Sequence, residues 1–250
     1  MSKPVIALQL YTIRDFTQND LPGTLKKVKE IGFNTVELAG MYDKTAPELK
    51  ALLDEVGLTA ISAHVGIQAF QADMQGTINA YKTLGCKYIG VPWLGKEDLP
   101  GGENWAQMKE SFKEVAAQCK AAGITLMYHN HAHEFDKLPC GTYINDALFN
   151  ELPEVETEID TGWVHAVDLC PAQYIKKYAG RCPVVHLKDT DKNAKEDRPV
   201  GQGTQDMPTI TKAAVESGAK VLVVELDNAV GITSLEAAKQ GFDYLKSLGF

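Results

Sequence analysis

One unit recurs along this chain: an amphipathic helix, a glycine, then a short apolar strand. It stands five times, as VKEIGFNTVEL, LLDEVGLTAISAH, YKTLGCKYIGVP, CKAAGITLMYHN and AVESGAKVLVVEL, with Gly32, Gly57, Gly85, Gly123 and Gly218 at the junctions. Glycine just past a helix end takes the left-handed backbone that other residues reach only with strain. The strands that follow are near-continuous apolar runs, the pattern of parallel strands covered on both faces. Two more strands follow prolines, VETEID after Pro153 and VVHLKD after Pro183, and VIALQL opens the series, which makes eight. The pattern predicts strands over 5–10, 34–38, 59–64, 87–91, 124–129, 155–160, 183–187 and 221–225. It predicts helices over 20–31, 45–56, 71–84, 103–122, 142–150, 171–179, 206–217 and 233–247. Eight strand–helix units in 250 residues match a closed (β/α)8 TIM barrel, an α/β fold, in count and length. The alternative, a doubly wound open sheet, wants a glycine-rich turn after its first strand, and LQLYTIRDFTQ contains no glycine. No linker or low-complexity segment divides the chain, so a single domain over 1–250 is expected.

Composition narrows the function classes. With 44% hydrophobic residues the chain can bury a substantial core. A formal net charge of -8 opposes broad nucleic-acid binding, which needs basic surface. No apolar run approaches the roughly 18 residues of a membrane span, so no membrane partner is expected. The start, MSKPVIALQLYTIRDF, carries no convincing signal-peptide cleavage region. The five cysteines, Cys86, Cys119, Cys140, Cys170 and Cys182, are scattered and form no CxxC pair. They read as reduced thiols, and a cytoplasmic location is the expectation.

In a TIM barrel the chemistry sits at the C-terminal ends of the strands. Here each strand is apolar until its last residues and then turns polar. The ends carry Gln9 and Tyr11, Glu37, His64, Trp93, His129 and His131, Glu158 and Asp160, His186 and Lys188, and Glu225 and Asp227. Charge inside a barrel is unfavourable unless it is paired or bound to metal. Four residues fall at equivalent places on four consecutive strands: His129, Asp160, His186 and Glu225. Two imidazoles and two carboxylates suit Mn²⁺, Zn²⁺, Co²⁺ or Fe²⁺ and do not suit a calcium cage, which wants oxygens. Each residue alone has a plainer reading, as a hydrogen-bonded strand end or a loop entry; their coincidence in position is what favours a site. Residues two apart share a face, so His131, Glu158, Lys188 and Asp227 are also candidates for the axis. Glu37 and His64 read equally as loop entry, and His133 as a solvated bystander beyond the strand.

The motifs LQLYTIR, IGFNTVEL, YHNHAHEF, IDTGW, HLKD, PVGQG and VVELD together resemble the xylose-isomerase-like barrel superfamily. Within it they resemble the sugar phosphate isomerase/epimerase group that also holds inosose dehydratases. The resemblance covers the whole chain. It implies a divalent metal, most often Mn²⁺, held at the ends of strands five to eight. Asp160 of IDTGW, His186 of HLKD and Glu225 of VVELD match the usual ligands. Strand five departs: many relatives have Glu-Asn-His where this chain has His129-Asn130-His131, so His129 falls where a glutamate ligand usually sits. Relatives use the strand-five and strand-eight glutamates as a proton-transfer pair, and here that pair is incomplete. Glu134 is the candidate replacement from the loop. The resemblance also implies a small sugar substrate and a homodimer.

The reaction expected is a sugar isomerisation or epimerisation. A divalent ion beside a carbonyl stabilises the enediolate left when a neighbouring C–H loses its proton. Candidate bases are Glu225, Glu134, Glu158, His64 and Lys188, the last also an oxyanion partner. Tyr11, His64, Trp93, His131 and Trp163 are expected to contact the sugar. A lyase or dehydratase of the inosose or 3-keto-glycoside type shares the intermediate and is the alternative. Two other classes stay open: a non-catalytic metal- or sugar-binding subunit, and a DNA endonuclease on the same barrel, which the acidic charge opposes. The long polar loop DTDKNAKEDRPVGQG reads as a lid or binding segment. Its Gly201 and Gly203 offer only a weak case for phosphate.

Overall fold

The computed structural model describes residues 3–250. The chain opens with β1 (Val5–Gln9), a 3-10 turn (Leu10–Ile13), and helices α1 (Arg14–Thr17) and α2 (Leu21–Ile31). Then come β2 (Thr35–Leu38), α3 (Ala46–Val56), β3 (Thr59–His64), α4 (Ile67–Ala72), α5 (Met74–Leu84), β4 (Tyr88–Val91) and α6 (Trp105–Ala121). Next are β5 (Thr125–His129), α7 (Ile144–Glu151), β6 (Glu156–Asp160), α8 (Thr161–Ala166), α9 (Pro171–Lys177) and β7 (Val184–Leu187). A hairpin of β8 (Asp189–Asp191) and β9 (Glu196–Arg198) precedes α10 (Met207–Glu216), β10 (Val221–Val224) and α11 (Ser234–Ser247).

Eight strands close into one barrel in the order β1-β10-β7-β6-β5-β4-β3-β2. Every barrel pairing is parallel, and β1 closes on β10 with Val5 opposite Val221 and Leu8 opposite Val224. The interior is layered. Ala7, Met127, Val184, Val221 and Val223 form a small apolar cluster at its base, and the next inward positions along the same strands are polar. The larger core lies between strands and helices, where residues such as Leu8, Val36, Tyr128 and Leu187 are fully buried. That division follows from side-chain alternation along a strand.

Helix starts are set by side chains. Asp20, Asp73 and Asp206 each accept a backbone N–H from the first turn, and Thr45 and Thr233 form reciprocal pairs with Glu48 and Glu236. The five junction glycines all have positive φ, as the repeat requires. Two departures from the expected elements have local causes. The helix expected over 71–84 starts later, at Met74, and a separate short helix α4 precedes it; Asp73, with a non-helical φ of -152°, divides the two and its carboxylate caps α5. Helix α8, absent from the expected pattern, begins directly at the end of β6 because Asp160 caps it. No helix is long and apolar enough to cross a membrane among the described residues, and all five cysteines are unpaired.

Two junction glycines separate conformation from crowding. At Gly85 φ is +87° and an added methyl meets nothing within 4 Å, whereas at Gly32 φ is +122° and the methyl stands 2.7 Å from the Phe242 ring. Gly85→Ala is expected to lose about 1 kcal/mol, the left-handed penalty alone. Gly32→Ala is expected to lose roughly twice that or more, because Phe242 must also move. Urea unfolding of the two variants measures both; equal losses refute the crowding account.

Candidate metal and substrate site at the barrel mouth

Short-range contacts fix the strand ends before any function is considered. Asn130, just past β5, exchanges hydrogen bonds with the Asp160 backbone: its Oδ1 accepts from the Asp160 N–H at 3.1 Å and its Nδ2 donates to the Asp160 carbonyl at 3.4 Å. Asp160 Oδ1 accepts from the Trp163 N–H at 3.0 Å, the cap of α8. That bond holds the side chain so that its second oxygen is left over; Oδ2 is buried with no hydrogen-bond partner. Thr161 ties α8 to β7 through the Lys188 N–H and carbonyl at 3.1 and 3.2 Å.

Ligand atoms of His129, Asp160, His186 and Glu225 lie within 4.8 Å of one another. Asp160 and His186 are register partners, whereas His129 stands opposite Glu158 and His186 opposite Val223, so only two of the four are level in the ladder and strand stagger brings His129 and Glu225 to them. His186 Nδ1 donates to Glu225 Oε2 at 2.6 Å. Lys188 Nζ donates to Asp227 Oδ2 at 2.7 Å and stands 3.3 Å from Asp160 Oδ2 and 3.9 Å from Glu225 Oε2.

Below this group is a second polar level. Glu37 accepts from Gln9 Nε2 at 2.7 Å and from the Ser62 hydroxyl. His186 Nε2 is 2.7 Å from Glu37 Oε1, though off the line of a good hydrogen bond. His64 Nε2 donates to Glu158 Oε2 at 2.8 Å. Gly90 of β4 faces this pair, and a methyl there would come 2.4 Å from Glu158 Oε2 and 3.2 Å from the His64 ring. Glu37 and Glu158 are both fully buried. Glu37, read as a possible loop entry, is therefore an interior residue.

Burial and neighbours pull these groups apart in pKa. Burial pushes the Asp160 carboxyl up to about 7, against the Lys188 ammonium. Burial also opposes ionisation of Glu225 and Glu158, but Lys188 and His186 hold Glu225 well below the carboxylate range, and His186 and His64 do the same for Glu158. For His64 and His186 burial favours the neutral ring, yet Glu37 and Glu158 beside each raise both above the ordinary value. For His129 and His131 burial outweighs what Glu158 and Glu225 supply, and lowers them to about 4 and about 2. The set fits a divalent cation. A fully buried Asp160 oxygen with no hydrogen bond and a raised pKa, beside a neutral His129, is a ligand pair to which a bound positive charge adds stabilisation beyond the Lys188 ammonium 3.3 Å away.

Above the cluster opens a cavity of about 600 Å³. Tyr11, His64, Trp93, His129, His131 and Glu225 line it, as does Arg14. Trp93 and Tyr11 are 57% and 46% exposed, unusual for such side chains and suited to stacking on a ring. Trp163 does not line the cavity as expected; it packs beside it, 5.3 Å from the His131 ring and under the Lys188 ammonium. Glu134 does not reach the cavity either. Its carboxylate accepts from the Tyr128 hydroxyl at 2.7 Å and the His131 N–H at 2.8 Å. Tyr128 points outward from the barrel while His129 points inward, so Glu134 is committed to the helical side and corrects the expectation of a replacement base. His133 is no bystander: it hydrogen-bonds the Leu94 carbonyl at 3.0 Å and stands 3.3 Å from Glu134. Nor is the PVGQG loop a phosphate cradle. The N–H groups of Gly201 and Gly203 already donate to Asp189 Oδ2 at 3.0 and 2.9 Å. Arg14 carries no sequence signal because it follows a 3-10 turn; its guanidinium lies 4.1 Å over the Tyr11 ring and donates to the Asp227 carbonyl at 2.7 Å.

A profile of the family described as xylose isomerase-like TIM barrel matches residues 25–248. The chain belongs to that family. Inosose dehydratase from Geobacillus kaustophilus (strain HTA426) is 23% identical over 213 residues, a match spanning 70% of this chain and 66% of that protein. The structure of a sugar phosphate isomerase/epimerase from Parabacteroides distasonis ATCC 8503 aligns with a TM-score of 0.84 at 23% identity, over 99% of this chain and 95% of that one. That of 3-keto-D-glucoside 4-epimerase from E. coli aligns with a TM-score of 0.75 at 17% identity, over 98% and 100%. At these identities the solved structures share the fold.

The depressed His131 has a pH signature. Its folded pKa lies near 2 against an ordinary 6.5, so below 6.5 the unfolded chain gains a proton that the folded chain refuses. Stability from this residue is therefore lost as pH falls from about 6.5. His64 and His186, with raised values, act in the opposite sense, so the measurement is a difference. In chelator, His131→Gln protein is expected to lose less stability than wild type between about pH 6.5 and pH 4; an equal or larger acid loss contradicts the assignment.

Proposed function

We propose that this protein is a divalent-metal-dependent sugar isomerase or epimerase acting on a ketose or keto-sugar through an enediolate. The observation that carries this reading is the convergence of His129, Asp160, His186 and Glu225 beside an open cavity that His129 and Glu225 line. His129, Asp160, His186 and Glu225 would hold the ion, with Mn²⁺ the leading candidate for a set half oxygen and half nitrogen. Such an ion supplies Lewis acidity that makes a C–H beside a carbonyl easier to ionise.

The chain's own groups divide the proton work. Glu225 lines the cavity and is held as a carboxylate by Lys188 and His186, so it is the base that takes the proton. Lys188, fixed between Asp160, Glu225 and Asp227, keeps that carboxylate ionised and offers a positive charge to a developing oxyanion. His64 lines the same cavity from β3, away from β10, and Glu37 and Glu158 favour its protonated form. A base and an acid on different walls of one cavity suit proton removal at one face and return at another, which is epimerisation, or return to the adjacent carbon, which is isomerisation. His131, held neutral, and the exposed rings of Tyr11 and Trp93 are the sugar contacts.

The test is solvent deuterium exchange over a panel of ketoses, inososes and 3-keto-glycosides with Mn²⁺-loaded protein. Deuterium is expected at the carbon beside the carbonyl; release of water or aglycone instead identifies the lyase alternative. Asp160→Asn and His186→Ala are expected to lose both ion and exchange, and Glu225→Gln to lower exchange by about 100-fold or more. Full metal occupancy in the Asp160→Asn, His186→Ala double variant rejects the reading.

A further inference from the structure

A second group of ligand atoms converges beneath the first. His64 of β3, His129 of β5, Glu158 of β6 and His186 of β7 bring theirs within 4.8 Å of one another. The three rings pack around one point: His64 and His186 stack at 5.2 Å, and His129 is edge-on to them at 4.8 and 4.7 Å. Three atoms of this group, His129 Nδ1, Glu158 Oε1 and His186 Nε2, have no hydrogen-bond partner. They sit on residues no more than 2% exposed. A buried polar atom without a hydrogen bond is unfavourable unless something else satisfies it.

The two shared rings offer a different nitrogen to each level. His129 Nε2 faces Asp160 Oδ2 at 3.9 Å while Nδ1 faces Glu158 Oε2 at 3.5 Å. His186 Nδ1 faces Glu225 Oε2 at 2.6 Å while Nε2 faces Glu37 Oε1 at 2.7 Å and Glu158 Oε1 at 3.4 Å. We propose that the His64–His129–Glu158–His186 cluster is a second divalent-cation position, selective for Zn²⁺ and antagonistic to the position at the barrel mouth. Three nitrogens and one carboxylate are a nitrogen-richer set than two of each, which favours Zn²⁺ over Mn²⁺. A neutral imidazole has a single lone pair to give, so a ring that ligates below cannot ligate above. Occupation of one position therefore empties the other. His64 borders the cavity and provides the access route. Zinc held below withdraws His129 and His186 from the mouth and converts His64 from a proton donor into a ligand, which switches the site off.

The variant-free test uses wild-type protein stripped with chelator, loaded with Zn²⁺ alone and crystallised for anomalous diffraction at the zinc edge. A peak among His64, His129, Glu158 and His186 is expected. A peak confined to the Asp160–Glu225 position, or no bound zinc, overturns the proposal. In solution, His64→Gln is expected to weaken Zn²⁺ by more than about 10-fold, as loss of even a supporting group does at such sites. Asp160→Asn is expected to leave Zn²⁺ affinity nearly unchanged, and Mn²⁺ is expected to reverse the pattern. Equal dependence of both metals on both residues also overturns it. Failure of the zinc arm alone leaves the Mn²⁺ dependence on Asp160, and with it the proposed function, standing.

Discussion

Four carboxylates, those of Glu37, Glu158, Asp160 and Glu225, are removed almost completely from water inside this barrel. An isolated buried charge is untenable, so each must find compensation within a few ångströms. Two imidazoles with raised pKa values and one ammonium supply most of it: His64 and His186 lie between the glutamates, and Lys188 lies between Asp160, Glu225 and Asp227. The match is incomplete at Asp160. Its Oδ2 has the Lys188 ammonium 3.3 Å away but no hydrogen bond, and burial pushes its pKa up to about 7. A site poised for an added cation is one consequence of a charge balance that protein groups alone leave open there.

The backbone makes that balance possible. Stagger around the barrel carries residues from four strands to one spot although no two of His129, His186 and Glu225 are register partners. Asn130 and the Asp160 cap of α8 then remove the freedom of the strand ends. Preorganisation of this kind, set by hydrogen bonds outside the cavity, holds a catalytic group in place with no reorganisation during the reaction.

Much of this was legible in the sequence, for a definite reason. Buried parallel strands write themselves as apolar runs, and helix stops write themselves as glycine, so the eight strands lie within a residue or so of where the pattern put them. The four ligand candidates were legible because an ionisable residue ending an apolar strand adds nothing to packing and must be compensated where it stands. Facing directions were harder. Glu134 lies close to His129 in sequence, but the turn at His133–Phe135 sends it to Tyr128 on the outer side of β5. Glu37 sits one residue from the end of an unremarkable TVEL strand, and only closure of the barrel brings it to His186. Arg14 reaches the cavity through a turn that leaves no periodic trace.

Gly90 shows how far the interior depends on what a strand omits. Because β4 contributes only a hydrogen where its neighbours contribute side chains, the Glu158 carboxylate and the His64 ring meet in the space that a side chain there would fill. Residue 90 thus acts as a spacer of zero thickness. Whether an acid and an imidazole can meet inside the barrel is decided by an atom count on a strand that carries no charge of its own.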